Sequence, residues 1–215
     1  MFQTEGPLLS RLNVLTDLVA VNLMTVLMCL PVITAGASLS AMHCVVRSIR
    51  HDGGGRLVPL FFSELRTRLK QGISVFLPML LILLLGSFEA GVFLLQENQA
   101  GRLYAYVLFA AILFAAFLEN TALLVLSYGP DRVSRIGSNT LRLAFGRFPR
   151  MLGSAFLMLL PVLMLVFLPA LLPLYLLLGV TAPAMAASYV YEPVIQSFAD
   201  RKDPKQTEQE ASWPH

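Results

Sequence analysis

The chain has 215 residues, 56 % of them hydrophobic and 13 % charged, with a formal net charge of +3. Soluble domains run at roughly 45–50 % apolar and about 25 % charged, so a water-soluble fold would leave too much apolar surface uncovered. The modest positive charge is spread between apolar runs and forms no dense stripe, which argues against a nucleic-acid partner and for anionic lipid headgroups.

Fourteen of the 16 Lys and Arg residues fall in three islands, 47–70, 132–150 and 201–205; only Arg11 and Arg102 lie elsewhere. Between the islands run stretches of Leu, Val, Phe, Ala and Met long enough to cross a bilayer. By the positive-inside rule the islands mark the cytoplasmic face and place the C-terminus there.

The first apolar run, 14–30, reaches about 25 Å at ~1.5 Å per residue and includes Asp17 and Asn22. Pro31, Thr34 and Gly36 make a break, and 32–50 reads as a marginal span or a helix lying along the interface. If it crosses, there are six passes and the N-terminus is inside; if it does not, there are five and the N-terminus is outside. Arg11 favours the first. HDGGGR at 51–56 is a turn. At Val58, Phe61, Phe62, Leu65 and Leu69 the apolar spacing is that of an amphipathic helix, 58–71, of the kind that lies in the headgroup plane.

Residues 73–95 and 103–128 are clear spans joined by a polar turn; the first holds Glu89 and the second Glu119 and Asn120. A second basic amphipathic helix covers 131–150, with Val133, Ile136, Thr140, Leu141, Ala144, Phe145 and Phe148 on its apolar face. Each amphipathic helix leads directly into a strong span, a loose internal echo. The Pro-interrupted run 151–191 is too long for one crossing and divides into spans at 152–168 and 174–191. The polar tail 199–215 lacks periodicity and reads as disordered. The expected architecture is an all-α integral membrane bundle in one domain, 1–198. It has about six transmembrane segments, five strong and one marginal, and two basic interfacial helices on the cytoplasmic side.

The string GPLLSRLNVLTDLVAVNL followed by LPVITAGASLSAMHCVVRSIR resembles the start of the YesL-like family of bacterial membrane proteins of unknown function. The resemblance rests on Gly6, Pro7, Leu8, Asn13, Asp17 and Leu18, then on Pro31, Thr34, Gly36 and Ala37. Phe61, Phe62, Lys70 and Gln71, and later Arg147, Phe148, Pro149 and Arg150, extend it over about residues 5–195. Family members often carry an acidic pair in the turn after the second segment, where this chain has only Asp52. The resemblance implies a multi-pass protein of the bacterial plasma membrane, often encoded beside genes for carbohydrate uptake and polysaccharide degradation. It implies no established activity and no catalytic residues.

Ionisable groups inside spans cost roughly 2.5–3.5 kcal/mol each on insertion scales, which makes Glu119, Asp17 and Glu89, with Asn120 beside Glu119, the candidate functional polar groups. Asn120 points about 100° from Glu119 around the helix, so the two need not share a partner. Pro31, Thr34 and Gly36 form a candidate helix break of the kind that exposes helix-end groups at membrane depth. Arg66, Arg68, Lys70, Arg142, Arg147 and Arg150 form a candidate partner surface.

Enzyme motifs are absent: Gly53–Gly55 lacks the Lys-Ser/Thr of a phosphate-binding loop, and no HExxH or GxSxG occurs. His43, His51 and His215 have no metal-ligand spacing. Neither a cofactor nor a metal is expected. The functional expectation is a non-enzymatic accessory protein serving carbohydrate uptake, with a sugar-uptake transporter as its partner. The alternative is a small transporter whose path runs past Glu119 and the 31–38 break.

Overall fold

The computed structural model of the chain describes residues 7–52, 57–95, 98–129 and 133–202, and every regular element among them is helical. In chain order these are α1 (Pro7–Cys29), α2 (Val32–Asp52), α3 (Leu57–Leu94), α4 (Gln99–Ser127), α5 (Val133–Gly146) and α6 (Phe148–Phe167). A 3₁₀ turn (Pro169–Leu171), α7 (Leu172–Leu178) and α8 (Thr181–Lys202) complete the chain. Four of the helices are long and apolar enough to cross a membrane: Val32–His51, Leu57–Leu94, Gln99–Ser127 and Phe148–Phe167. The α7–α8 pair, bent by 62°, makes a fifth if it is taken as one span, and the apolar part of α1, Asn13–Cys29, is shorter.

The expected separate helix at 58–71 is instead the first part of one 38-residue helix, α3. Nothing between Lys70 and Val75 breaks a helix, and the apolar stripe that was expected to face headgroups faces α2. Leu57, Phe61 and Leu65 are buried with Met42, Val45, Val46 and Ile49 in one core cluster, while Val58 and Phe62 stay exposed. The two helices run antiparallel and touch backbone to backbone at the far end of this contact. A Cβ on Gly72 would lie 2.6 Å from the Ala37 nitrogen, and one on Gly36 would lie 2.7 Å from the Gly72 carbonyl oxygen. Small residues at such a crossing let two helices approach closely inside a membrane.

This contact also fixes the height of the α1–α2 hairpin. From Phe76, beside Gly36, α3 runs on for 18 residues to Leu94, about 27 Å, whereas α2 begins at Val32, only four residues before Gly36, about 6 Å. The hairpin tip therefore stops roughly 20 Å short of the Leu94 end of α3, which packs on α4. There Leu81, Ile82, Leu84, Leu85, Phe88, Leu103 and Val107 are exposed, as lipid-facing residues are.

Two further expectations shift. The helix anticipated at 131–150 ends at Gly146, and a new helix starts at Phe148 with Pro149 in its first turn, where a missing N–H costs nothing. In α5 the buried stripe is Ile136, Thr140, Leu143 and Ala144, while Val133, Leu141 and Phe145 remain exposed. The anticipated span 174–191 is broken at Gly179–Val180. A continuous helix would drive the Pro183 ring into the Gly179 carbonyl, so the chain restarts at Thr181 with Pro183 in the first turn. Residues 199–202 of the anticipated tail belong to α8; 203–215 lie outside the described residues, as do 53–56 of the expected turn and 131–132.

Candidate functional site

Between α1, α2, α3, α4, α6 and α7 lies a cavity of about 690 Å³. Its walls are almost wholly apolar, and the polar side chains among them are Thr25, Cys29, Glu119, Asn120 and Tyr175. Glu119 and Asn120, adjacent in sequence and expected to diverge, both line it because the cavity is wider than the angle between them. A smaller apolar cleft of about 280 Å³ lies between α6 and α7 and shares Pro161 and Tyr175 with the larger one.

The polar groups of the cavity are not equivalent. The Thr25 hydroxyl donates to the Val21 carbonyl at 2.7 Å, and the Asn120 amide donates to the Ser154 hydroxyl at 3.5 Å. Glu119 is 8 % exposed, and its buried Oε1 has no hydrogen-bond partner. Lys, Arg and His are absent from the residues lining the cavity. A carboxyl placed this way has unused acceptor capacity, and an unmatched buried polar group costs more than a matched one.

The helix break that was singled out in the sequence is closed by its own neighbourhood. The Thr34 hydroxyl donates to the Pro31 carbonyl at 2.8 Å and also to that of Met28, and the Thr34 N–H donates to Pro31 at 2.9 Å. Gly36 serves the crossing with α3. Cys29 and Ala35, on either side of the break, line the cavity.

The second break, between α7 and α8, was not anticipated and is held from a distance. Asn22 of α1 is fully buried, and its amide donates to the carbonyls of Tyr175 (3.1 Å) and Leu176 (2.7 Å). Its Oδ1 accepts from the N–H groups of Val180 (2.9 Å) and Thr181 (3.0 Å). One side chain thus satisfies the end of α7 and the start of α8 together, groups that a break leaves without intrahelical partners. Tyr175 and Val180, on the two sides of the break, are also cavity walls.

The basic residues divide into two sets. Arg68, placed in the candidate partner surface, is 3 % exposed, so it does not belong to an open surface. It pairs with Glu64, and it donates from Nε to the Leu126 carbonyl (2.9 Å) and from Nη2 to that of Ser127 (3.1 Å). Arg47 donates to the same Ser127 carbonyl at 3.4 Å and stacks 4.1 Å above the Tyr128 ring. Two guanidinium groups therefore cap the C-terminal, negative end of α4. Arg50 and His51 both pair with Glu192 of α8, which is 2 % exposed. Arg66, Lys70, Arg142, Arg147 and Arg150 are exposed.

Glu89 lies near the C-terminal end of α3 and accepts a hydrogen bond from the Tyr104 hydroxyl at 2.9 Å, tying α3 to α4. Asp17 is half-buried on α1 and does not line the cavity. Residues 18–89 match the model of a family described as a protein of unknown function, DUF624. The matched segment takes in Asn22, the first break and the Gly36–Gly72 crossing, and ends before Glu119. No curated protein and no solved structure matches the chain.

Proposed function

We propose that this is a multi-pass protein of the bacterial plasma membrane that takes a small molecule into the bilayer-embedded cavity beside Glu119, as a small transporter. The observation that carries the reading is Glu119, a buried carboxyl in a largely apolar cavity whose lining residues include no Lys, Arg or His. The break between α7 and α8 adds to it: transporters build their midplane sites from broken helices, and both sides of this break are cavity wall. The three basic islands support a cytoplasmic placement for the inner ends of α3, α5 and α6 and for the C-terminal end of α8.

A transport path must admit water-borne reagents. In a chain carrying Cys29→Ala and Cys44→Ala, a single cysteine replacing Ala116 on the cavity wall should react with a small, membrane-impermeant methanethiosulfonate from at least one side of sealed vesicles. A cysteine replacing the lipid-facing Leu84 should stay inert. Equal inertness of the two removes the path.

The exposed side chains of Arg66, Lys70, Arg142, Arg147 and Arg150 support a second reading, an accessory protein of the YesL-like kind that contacts a sugar-uptake transporter. On that reading charge reversal at Arg66 and Lys70 weakens co-purification of the permease from native membranes, and Glu119→Gln leaves it intact. The reverse pattern sinks it.

A further inference from the structure

The cavity is asymmetric in charge as well as in polarity. Its one carboxyl is Glu119, and the residues lining it bring no Lys, Arg or His. The arginines nearest along α4, Arg47 and Arg68, are bound at carbonyls 126 and 127, about 11 Å below Glu119 along the helix axis. They are also committed there, to the helix end and to Glu64. An anion entering the cavity would meet the Glu119 carboxylate with no cation among the lining residues to offset it, and at low dielectric that repulsion is severe.

A sugar is also a poor fit. Each ring brings several hydroxyl groups that need partners, and the Thr25 and Asn120 side chains already have theirs. What remains is the Glu119 carboxyl, with the Tyr175 hydroxyl and the Cys29 thiol, among Phe76, Leu113, Phe117, Phe156 and Leu159. The volume of about 690 Å³ lies within the roughly 300–1,000 Å³ of small-molecule sites. An unpaired carboxylate in such a place is offset best by a cation whose apolar body fills the rest of the space.

Resting on the reading of this cavity as a ligand path, we propose that its ligand is an amphipathic amine: one ammonium group paired with Glu119 and an alkyl or ring body packed on the walls contributed by α4 and α6. The site then selects by charge at one point and by apolar fit elsewhere. It discriminates against fatty acids and sugars of the same size.

The test uses the full-length protein in phosphatidylcholine nanodiscs and tritiated dodecylamine, with binding to empty nanodiscs subtracted. Binding should be saturable and at least ten-fold weaker in Glu119→Gln, and it should be kept within a few-fold by Glu119→Asp. Ala155→Phe, which fills the cavity without touching the carboxyl, should remove it. Dodecanol should compete weakly and dodecanoate not at all. Should Glu119→Gln fail to fold, the Asp and Ala155→Phe variants and the competition series still decide the matter. Equal binding by wild type and Glu119→Gln overturns the proposal. So does competition by dodecanoate as strong as by the amine, which marks an acyl-tail site only. Either result, obtained while the Ala116 cysteine remains reactive, removes the amine and leaves the path standing; an inert Ala116 cysteine removes the path itself.

Discussion

The chain interrupts its helices between α1 and α2 and again between α7 and α8, and the two breaks are held in opposite ways. At the first, Thr34 returns its hydroxyl and its N–H to carbonyls three to six residues earlier, so the turn is satisfied from within. At the second, the loose carbonyls and N–H groups are satisfied by Asn22, more than 150 residues away in sequence. The first break is thus satisfied by groups within its own turn. The second exists only when α1 is docked, and it makes α1 part of the wall of the Glu119 cavity. A membrane interior offers no water to repair a lost hydrogen bond, so the remote arrangement is the more fragile.

The sharpest way to break this contrast is Asn22→Leu. It replaces the amide by a larger, wholly apolar side chain and leaves three backbone groups unmatched, the Leu176 carbonyl and the N–H groups of Val180 and Thr181. Each costs about 1–3 kcal/mol before relaxation. The Tyr175 carbonyl still accepts from the Gly179 N–H at 2.8 Å. A net loss of about 4 kcal/mol is expected in SDS-titrated unfolding followed by circular dichroism, together with loss of the α1 contact to α7. A loss below about 1 kcal/mol would mean that the break supports itself, and the contrast would collapse.

The next effect is smaller and concerns what fixes the first hairpin once its turn has closed. Gly72 and Gly36 bring α2 and α3 into backbone contact, so Gly72→Leu must push the helices apart. Overpacking of this kind costs about 3 kcal/mol at the upper end of the usual range. The same unfolding assay should show it, and Gly91→Leu, at a glycine with nothing within 4 Å of a built Cβ, should be nearly neutral. Leu is the better helix former at both positions, so similar losses at the two glycines would show that the added bulk in general, not the crossing, is being measured.

These two sites also mark the limit of what could be read in advance. Pro31, Thr34 and Gly36 announce a break because their chemistry is local, and the apolar runs announce the spans because length and composition suffice. The clamp at Asn22 was out of reach, since no spacing in the sequence connects residue 22 to residues 175–181. Half of that feature was nevertheless legible: Gly179 stands four residues before Pro183, where a continuous helix would clash. The stripe at 58–71 gave the correct apolar face and the wrong neighbour, because periodicity states how wide a face is and not what covers it. Arg68 falls on the same stripe as Leu57, Phe61, Leu65 and Gly72, eleven residues after the first of them. A charge at that register is the sign of a buried partner in place of a headgroup. The Glu119 candidate needed only depth within an apolar run, but its free oxygen and its cavity depend on how six helices assemble.

The mildest test comes from the local break itself. Thr34→Val keeps the shape of the side chain and removes only its hydroxyl. The carbonyl of Pro31 still accepts from the Thr34 backbone N–H at 2.9 Å, so one bond of two is retained there. A lost side-chain hydrogen bond of this sort costs about 1 kcal/mol, well under the Asn22 effect. Combining Thr34→Val with Asn22→Leu should give a loss equal to the sum of the two within about 0.5 kcal/mol, as for sites that share no partner. The two residues do share α1, which carries Asn22 and presents the Met28 carbonyl to Thr34, so additivity is a demanding expectation. A coupling of 1 kcal/mol or more would mean that α1 transmits strain between the breaks. In that case the first break belongs to the cavity's machinery as much as the second does.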